Sequence, residues 1–239
     1  HAALQRLRAE LDLRVFEAAL PDEDRRLYES FREHYPDLVL ELFHEHPDVR
    51  LAAVNRVPLE PGSGAGVLIA AKVNDSDGDV AEAALAAAAQ LADPVVARGL
   101  ARYVRMVTLA GRSGHFKPSS DVAIVLSDLV LRSIDALGQA RCRESVPQIL
   151  EAVDFFRGTP IWMMDRTRLA TVAQALGRIG DERGAPLLVE LVDESGVIRT
   201  RHVGVDRLAT QTLGDVALLA LARIYGIPPA SLGFESAEG

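Results

Sequence analysis

One short phrase recurs in the chain at a fixed distance, and this recurrence constrains the fold more than any other feature. Ala136-Leu137-Gly138 and Ala175-Leu176-Gly177 lie 39 residues apart. Each is followed by a polar turn and then by an apolar segment that contains proline, at Val146-Pro147 and at Ala185-Pro186. Such a period indicates a repeated helix–turn–helix unit, which cannot bury its apolar face alone and must stack on its neighbours.

Helical periodicity extends through the rest of the chain. Leu4, Leu7, Leu11 and Val15, for example, form a stripe along one helix face. No run shows convincing strand alternation, and prolines and glycines separate the apolar segments. The predicted helices cover residues 4–20, 22–35, 36–45, 48–57, 64–73, 79–91, 94–109, 119–137, 144–156, 164–179, 183–193 and 207–225.

The repeated phrase resembles a known repeat family. Residues 175–181 (Ala-Leu-Gly-Arg-Ile-Gly-Asp), followed by Ala185-Pro186-Leu187-Leu188, look like a HEAT-like repeat, with a tight Gly-Asp turn between two helices. Residues 136–150 are similar to it, and 90–96 is a weaker copy. Residues 48–53 (Asp-Val-Arg-Leu-Ala-Ala) match the family's typical opening of a first helix, and 77–84 echo it.

This resemblance implies an all-α fold, an α-solenoid of stacked antiparallel helical hairpins with about 10–12 helices. It covers residues 36–226 and is strongest at 129–193. We therefore expect an N-terminal helical cap at 1–35, a HEAT-like repeat array at 36–226 and a C-terminal capping tail at 227–239. Residues 215–221 look like the start of the closing cap, over which Phe234 would fold back.

Composition excludes several classes of partner. The net charge of −8 argues against a general nucleic-acid or anionic-membrane surface, and no apolar run approaches the roughly 18–20 residues of a membrane helix. Lys72 and Lys117 are the only lysines among 26 basic residues, which we attribute to coding bias. The sole cysteine, Cys142, excludes an intrachain disulfide. Because the chain begins at His1 and not at methionine, we expect that it has been trimmed or carries a tag remnant. The sequence leaves the localisation unknown, either cytoplasmic or exported with a removed signal peptide.

Motifs for metals and cofactors fail on spacing. His44 and His46, two apart on an expected helix end, point in opposite directions and cannot share an ion. The acidic segment 74–79 lacks the glycine and glutamate positions of a calcium loop, so we interpret it as a turn with an N-cap. Residues 62–66 lack the Lys-Ser/Thr of a phosphate-binding loop. We expect no cofactor and no metal.

Cys142 is the one candidate nucleophile. Arg141 and Arg143 flank it at the start of a predicted helix, and both features would lower a thiol pKa. No histidine can be assigned to it, so we expect a half-buried turn residue and no catalytic residues.

A basic stripe is the first candidate binding feature. Arg98, Arg102 and Arg105 recur at i, i+4 and i+7 on one predicted helix. Aspartates recur every seven residues on the next helix, at Asp121, Asp128 and Asp135. Either the two stripes neutralise each other, or the arginines bind an acidic partner.

The second candidate is the set of long links between hairpins, at 110–118, 157–163 and 194–206. In a hairpin stack these links lie along one edge, and long loops often carry function. We expect a mixed aromatic and basic patch there, unless Phe116, Trp162 and Ile198 instead plug the core between repeats. The candidate binding residues in these links are His115, Phe116, Lys117, Trp162, Met163, Arg199, Arg201 and His202.

The repeat resemblance implies a non-catalytic protein-binding or assembly scaffold, because such stacks present extended surfaces. Its partners would be proteins, with nucleic acid disfavoured and no membrane insertion. One alternative is an enzyme or enzyme subunit on the same fold, of the lyase or glycosylase type, although neither activity has a matching local motif. A second is binding of an acidic partner or nucleic acid through the arginine stripe.

Overall fold

The computed structural model of the protein describes residues 2–115, 121–157, 166–202 and 208–234. Within these ranges the chain is predominantly helical, which confirms the predicted all-α class. The helices are α1 (Ala2–Ala19), α2 (Asp22–His34), α3 (Pro36–Leu42), α4 (Pro47–Val54), α5 (Ala65–Lys72), α6 (Gly78–Leu91), α7 (Pro94–Arg112), α8 (Asp121–Gln139), α9 (Val146–Arg157), α10 (Arg166–Ile179), α11 (Ala185–Val192) and α12 (Leu213–Ile224). The strands are β1 (Val197–His202) and β2 (Leu208–Thr212).

The chain divides into two compact units, residues 1–100 and 101–239, with the boundary inside α7. In the first unit α3 packs against α1, α2 and α4, while α6 packs against α4 and α5. Prolines at Pro36 and Pro47 begin α3 and α4, where their missing N–H costs no helical hydrogen bond. Asp77 caps α6, since its side chain accepts hydrogen bonds from the backbone of Asp79 and Val80, as the sequence predicted.

The second unit contains two helical hairpins of the same construction, α8 with α9 and α10 with α11. In each, a 3-10 turn (Arg143–Ser145 and Glu182–Gly184) precedes the second helix. That helix then begins with proline at its second position, Pro147 or Pro186. The apolar faces are buried, including Leu137, Ile149, Leu176 and Leu188. The 39-residue period of the sequence therefore corresponds to one structural repeat.

The first helices of these hairpins pack closely on one another through small residues. A Cβ added to Gly138 of α8 would lie 2.6 Å from Cα of Ala175 in α10. One added to Gly177 of α10 would lie 2.8 Å from Cα of Ala220 in α12. The helix that we interpreted as a closing cap therefore packs on α10 in the way that α10 packs on α8. Its segment 220–224, Ala-Leu-Ala-Arg-Ile, is a third copy of the repeated phrase.

We expect Gly177→Val to lower the free energy of unfolding by about 1–3 kcal/mol, because the larger side chain must push α10 and α12 apart. Urea unfolding followed by circular dichroism measures the loss. Gly78→Val is the matched control, since a Cβ there meets nothing within 4 Å. Equal stability of the two variants would contradict the close approach.

The strands are a departure from the predicted fold. We expected residues 194–206 to form an irregular link and a helix to begin at 207. Instead β1 and β2 form an antiparallel hairpin, with Arg199 opposite Gln211 and Thr200 opposite Thr210. The helix begins at Leu213, where Thr212 and Asp215 form a capping box. β-Branched residues such as Val197 and Thr200 favour the extended conformation.

Candidate functional site

The first arginine of the predicted basic stripe is part of the fold of residues 1–100. Arg98 donates a hydrogen bond of 2.7 Å to Asp24, and its guanidinium lies 3.4 Å from Glu23. Asp24 is fully buried. The hydrogen bond to Asp24 raises the pKa of Arg98 above its ordinary value. Arg98 therefore stabilises α2 against α7 within this unit.

The two other members of the stripe, Arg102 and Arg105, are exposed on α7. Arg102 nevertheless interacts with another residue of the chain. Met106 and Leu109 are exposed beside them, at 48% and 47% of their full surface. The second half of α7 therefore presents a mixed basic and apolar face.

Two of the three aspartates that could neutralise this stripe have partners elsewhere. Asp128 of α8 lies 2.6 Å from Arg168, and Asp135 lies 2.6 Å from Arg178. Both arginines belong to α10, so these ion pairs join the first helices of two successive hairpins. Of the two alternatives, mutual neutralisation is not supported by Asp128 and Asp135, because α8 turns this face towards α10. The side chain of Asp121 lies outside the described residues.

The predicted patch of links is described only in part. His115 is exposed, and its ring hydrogen-bonds the Ser113 hydroxyl at 2.8 Å. Because Asp128 meets Arg168 and Asp135 meets Arg178, α8 and α10 run in the same direction, which places their N-terminal ends on one edge. Of the other predicted residues in the links before these helices, Phe116, Lys117, Trp162 and Met163 lie outside the described ranges.

The third link carries the β1–β2 hairpin at this same edge. The backbone N–H of Leu213 donates to the carbonyl of Gly196 and closes the base of the hairpin. Gly196 lies against the Arg166 side chain at the start of α10. Arg199 is exposed, Val197 is 52% exposed, and Ile198 is half-buried. The predicted residues Arg201 and His202 also belong to β1, where they pair with Ala209 and Leu208.

The structure also describes the residues of the catalytic and metal motifs considered in the sequence. Cys142 is buried, and burial raises the pKa of its thiol, which is opposite to what a nucleophile requires. α3 ends at Leu42, so His44 and His46 lie in a loop and not on a helix as we expected, with ring centroids 5.3 Å apart. Within the described ranges, three or more metal-ligating residues never come together.

The structure also brings together a buried ionic cluster that the sequence did not reveal. Arg50 of α4 donates to both carboxylate oxygens of Asp75 at 2.7–3.1 Å and to the carbonyls of His44 and Glu45 at 2.8 Å. Lys72 Nζ lies 3.4 Å from Asp75 Oδ2 and 4.2 Å from the centre of the Phe43 ring. The available signal was the rarity of lysine, which we had attributed to coding bias.

Burial and pairing act in opposition on the pKa values of this cluster. Burial alone would raise the pKa of Asp75, but hydrogen bonds from Arg50 and from the Asp77 backbone, with the nearby Lys72 charge, bring it below its usual value. Burial lowers the pKa of Lys72, and Asp75 offsets this only in part. The cluster therefore stabilises a carboxylate more effectively than it stabilises the ammonium group.

The stacked hairpins and small-residue contacts of the second unit are typical of a helical repeat protein. Residues 169–194 match the family model described as PBS lyase HEAT-like repeat, which confirms the predicted resemblance to the HEAT-like repeat family. This match covers all but the first turn of α10, the 3-10 turn and α11. Comparisons with curated proteins and with solved structures gave no match. Across the described ranges, every helix is too short or too polar to span a membrane.

Proposed function

We propose that the protein is a non-catalytic scaffold that binds a protein partner through the β1–β2 hairpin. The observation that carries this proposal is the replacement of a simple link by an exposed hairpin between α11 and α12. A link needs only to reach the next helix, whereas this one adds a pair of strands whose outer edges have no strand beside them in the described chain. Such edges and exposed loops are common sites of partner binding.

Charge favours an acidic partner. The segment 197–212 contains Arg199, Arg201 and Arg207 but only one acidic residue, Asp206, while the whole chain carries a net charge of −8. Arg199 and Val197 are exposed in β1 and offer a cation beside an apolar group. A basic element of this kind attracts negatively charged surfaces.

The test begins with affinity purification of the tagged protein from its source cells and identification of what is retained. The partner is then purified, and its Kd is measured for the unaltered chain and for Arg199→Glu/Arg201→Glu. We expect this double reversal to weaken binding at least about tenfold. The affinity of the unaltered chain should also fall with rising salt.

Arg102→Glu/Arg105→Glu is the matched control, because it changes the net charge equally on the exposed face of α7. Retained binding by this control supports the hairpin as the site. Binding lost only in the control would move the site to the arginine stripe. If neither variant affects Kd, or if no protein is retained, the proposal is wrong.

A further inference from the structure

A cavity lies beside the buried ionic cluster and is a candidate ligand site, independent of the hairpin. It has a volume of about 460 Å³, which is within the usual range of small-molecule sites. Its walls come from α1, from the segment around Phe43 and from the end of α5 with the loop that follows. Phe16 and Phe43, whose ring centroids are 5.1 Å apart, form an apolar side, and Val15 also lines the cavity.

The ionic cluster at the other side carries two positive charges and only one negative charge. Arg50, Asp75 and Lys72 are all buried, with side-chain exposures of 10%, 4% and 9%. Asp75 already accepts short hydrogen bonds from Arg50 and one from the Asp77 backbone. Lys72 is only a distant second cation at 3.4 Å. The three side chains together carry one excess positive charge in a place where water cannot fully solvate it.

Neighbouring groups offset this charge only in part. The C-terminal turn of α5 directs carbonyl dipoles towards Lys72, and the Phe43 ring contributes a cation–π contact. Asp12 and Glu45 also line the cavity, and Asp12 offsets part of the charge of Lys72, but solvent weakens this attraction because Asp12 is exposed. An ammonium group has three donors, and Asp75 occupies at most one of them.

We propose that this cavity binds a small organic monocarboxylate with an apolar body. The carboxylate accepts hydrogen bonds from Lys72 Nζ and neutralises the excess charge, while the apolar body lies against Phe16 and Phe43. A single negative charge matches the single excess cation, whereas a phosphate dianion would leave negative charge beside Asp12 and Asp75. Arg8 and Asp12, both exposed in the wall, carry opposite charges and offset each other.

Benzoate is the probe, with benzamide as its neutral analogue and inorganic phosphate as the competing anion, all at constant ionic strength. Isothermal titration calorimetry and the shift in melting temperature measure binding up to about 10 mM, where a millimolar Kd is largely saturated. We expect saturable binding of benzoate and none of benzamide. Absence of benzoate binding, equal binding of benzamide, or tighter binding of phosphate would each overturn the proposal.

Variants test the role assigned to Lys72. Lys72→Met keeps the length of the side chain and removes its charge, and we expect benzoate affinity to fall at least about tenfold. Arg26→Met removes an exposed cation of α2 that does not line the cavity and should leave the affinity unchanged. Asp12→Asn should increase it, because a competing carboxylate is removed. Circular dichroism establishes that each variant is folded, and undiminished affinity in folded Lys72→Met contradicts the proposal.

Discussion

Arg50→Met is expected to lower the free energy of unfolding by about 3–5 kcal/mol, since it removes one partner of a buried ion pair and leaves the other charge uncompensated. Arg50 makes hydrogen bonds to Asp75 and to the carbonyls of His44 and Glu45, so it joins the loop before α4 to the loop before α6. Without it these acceptors lose their donors in a place where water reaches them poorly. Urea denaturation at neutral pH measures the loss.

Lys72→Met is the control from the same cluster. It removes the excess cation and not the pair, so we expect a change within about 1 kcal/mol, in either direction. If Lys72→Met destabilises the protein as much as Arg50→Met does, the assignment of the excess charge to Lys72 is wrong.

The effect of pH follows from Asp75, whose pKa in the folded state is below its unfolded value. Its contribution to stability is complete above the unfolded value of about 3.9 and is lost as pH falls through the folded pKa. We therefore expect the difference in stability between the unaltered protein and Arg50→Met to shrink as pH falls below about 4.

The second large effect is expected for Arg98→Glu, which places a carboxylate against the fully buried Asp24. The side chain of Arg98 is 35% exposed, so solvent screens part of the interaction. We predict a loss of about 2–4 kcal/mol in the free energy of unfolding. Chemical denaturation of the variant and the unaltered protein measures it.

Arg105→Glu is the matched control for this reversal, since it changes the charge equally at an exposed position of the same helix. We expect its free energy of unfolding to stay within about 0.5 kcal/mol of the original. Together the two variants separate an arginine that holds the fold from one that is available to a partner. A stable Arg98→Glu protein would return Arg98 to the set of candidate binding residues.

The sequence predicted the helices well because their signals are local. The apolar stripes, the prolines at helix starts and the recurring Ala-Leu-Gly phrase all act within a few residues. The third copy of the phrase, at 220–224, escaped notice because it has alanine in place of glycine and follows the second copy by 45 residues instead of 39. The extra length is the hairpin, whose short strands follow the turn signal Ser195-Gly196, which we interpreted as part of a link.

The ionic contacts were less predictable because they join distant parts of the chain. Arg98 pairs with Asp24, 74 residues earlier, and Arg50 with Asp75, 25 residues later. Periodicity along α7 placed three arginines on one face correctly but gave no information about which neighbouring helix that face meets. Lys72 is a similar case, because its burial depends on how α1 and α5 approach each other, and neither helix encodes this alone.

The closed base of the hairpin has a consequence for how this repeat array can change. The Leu213–Gly196 hydrogen bond and the paired strands hold the two ends of the insertion together. These interactions at the base therefore offset the entropic cost of closing the loop. Each doubling of the length of a flexible loop costs only about 0.6 kcal/mol more. The tip of the hairpin can therefore gain, lose or exchange residues while Gly177 and Ala220 keep their contact. The contact between Gly177 and Ala220 restricts the shape of the stack, whereas the sequence between the two strands is free to diversify and could carry a grafted recognition sequence.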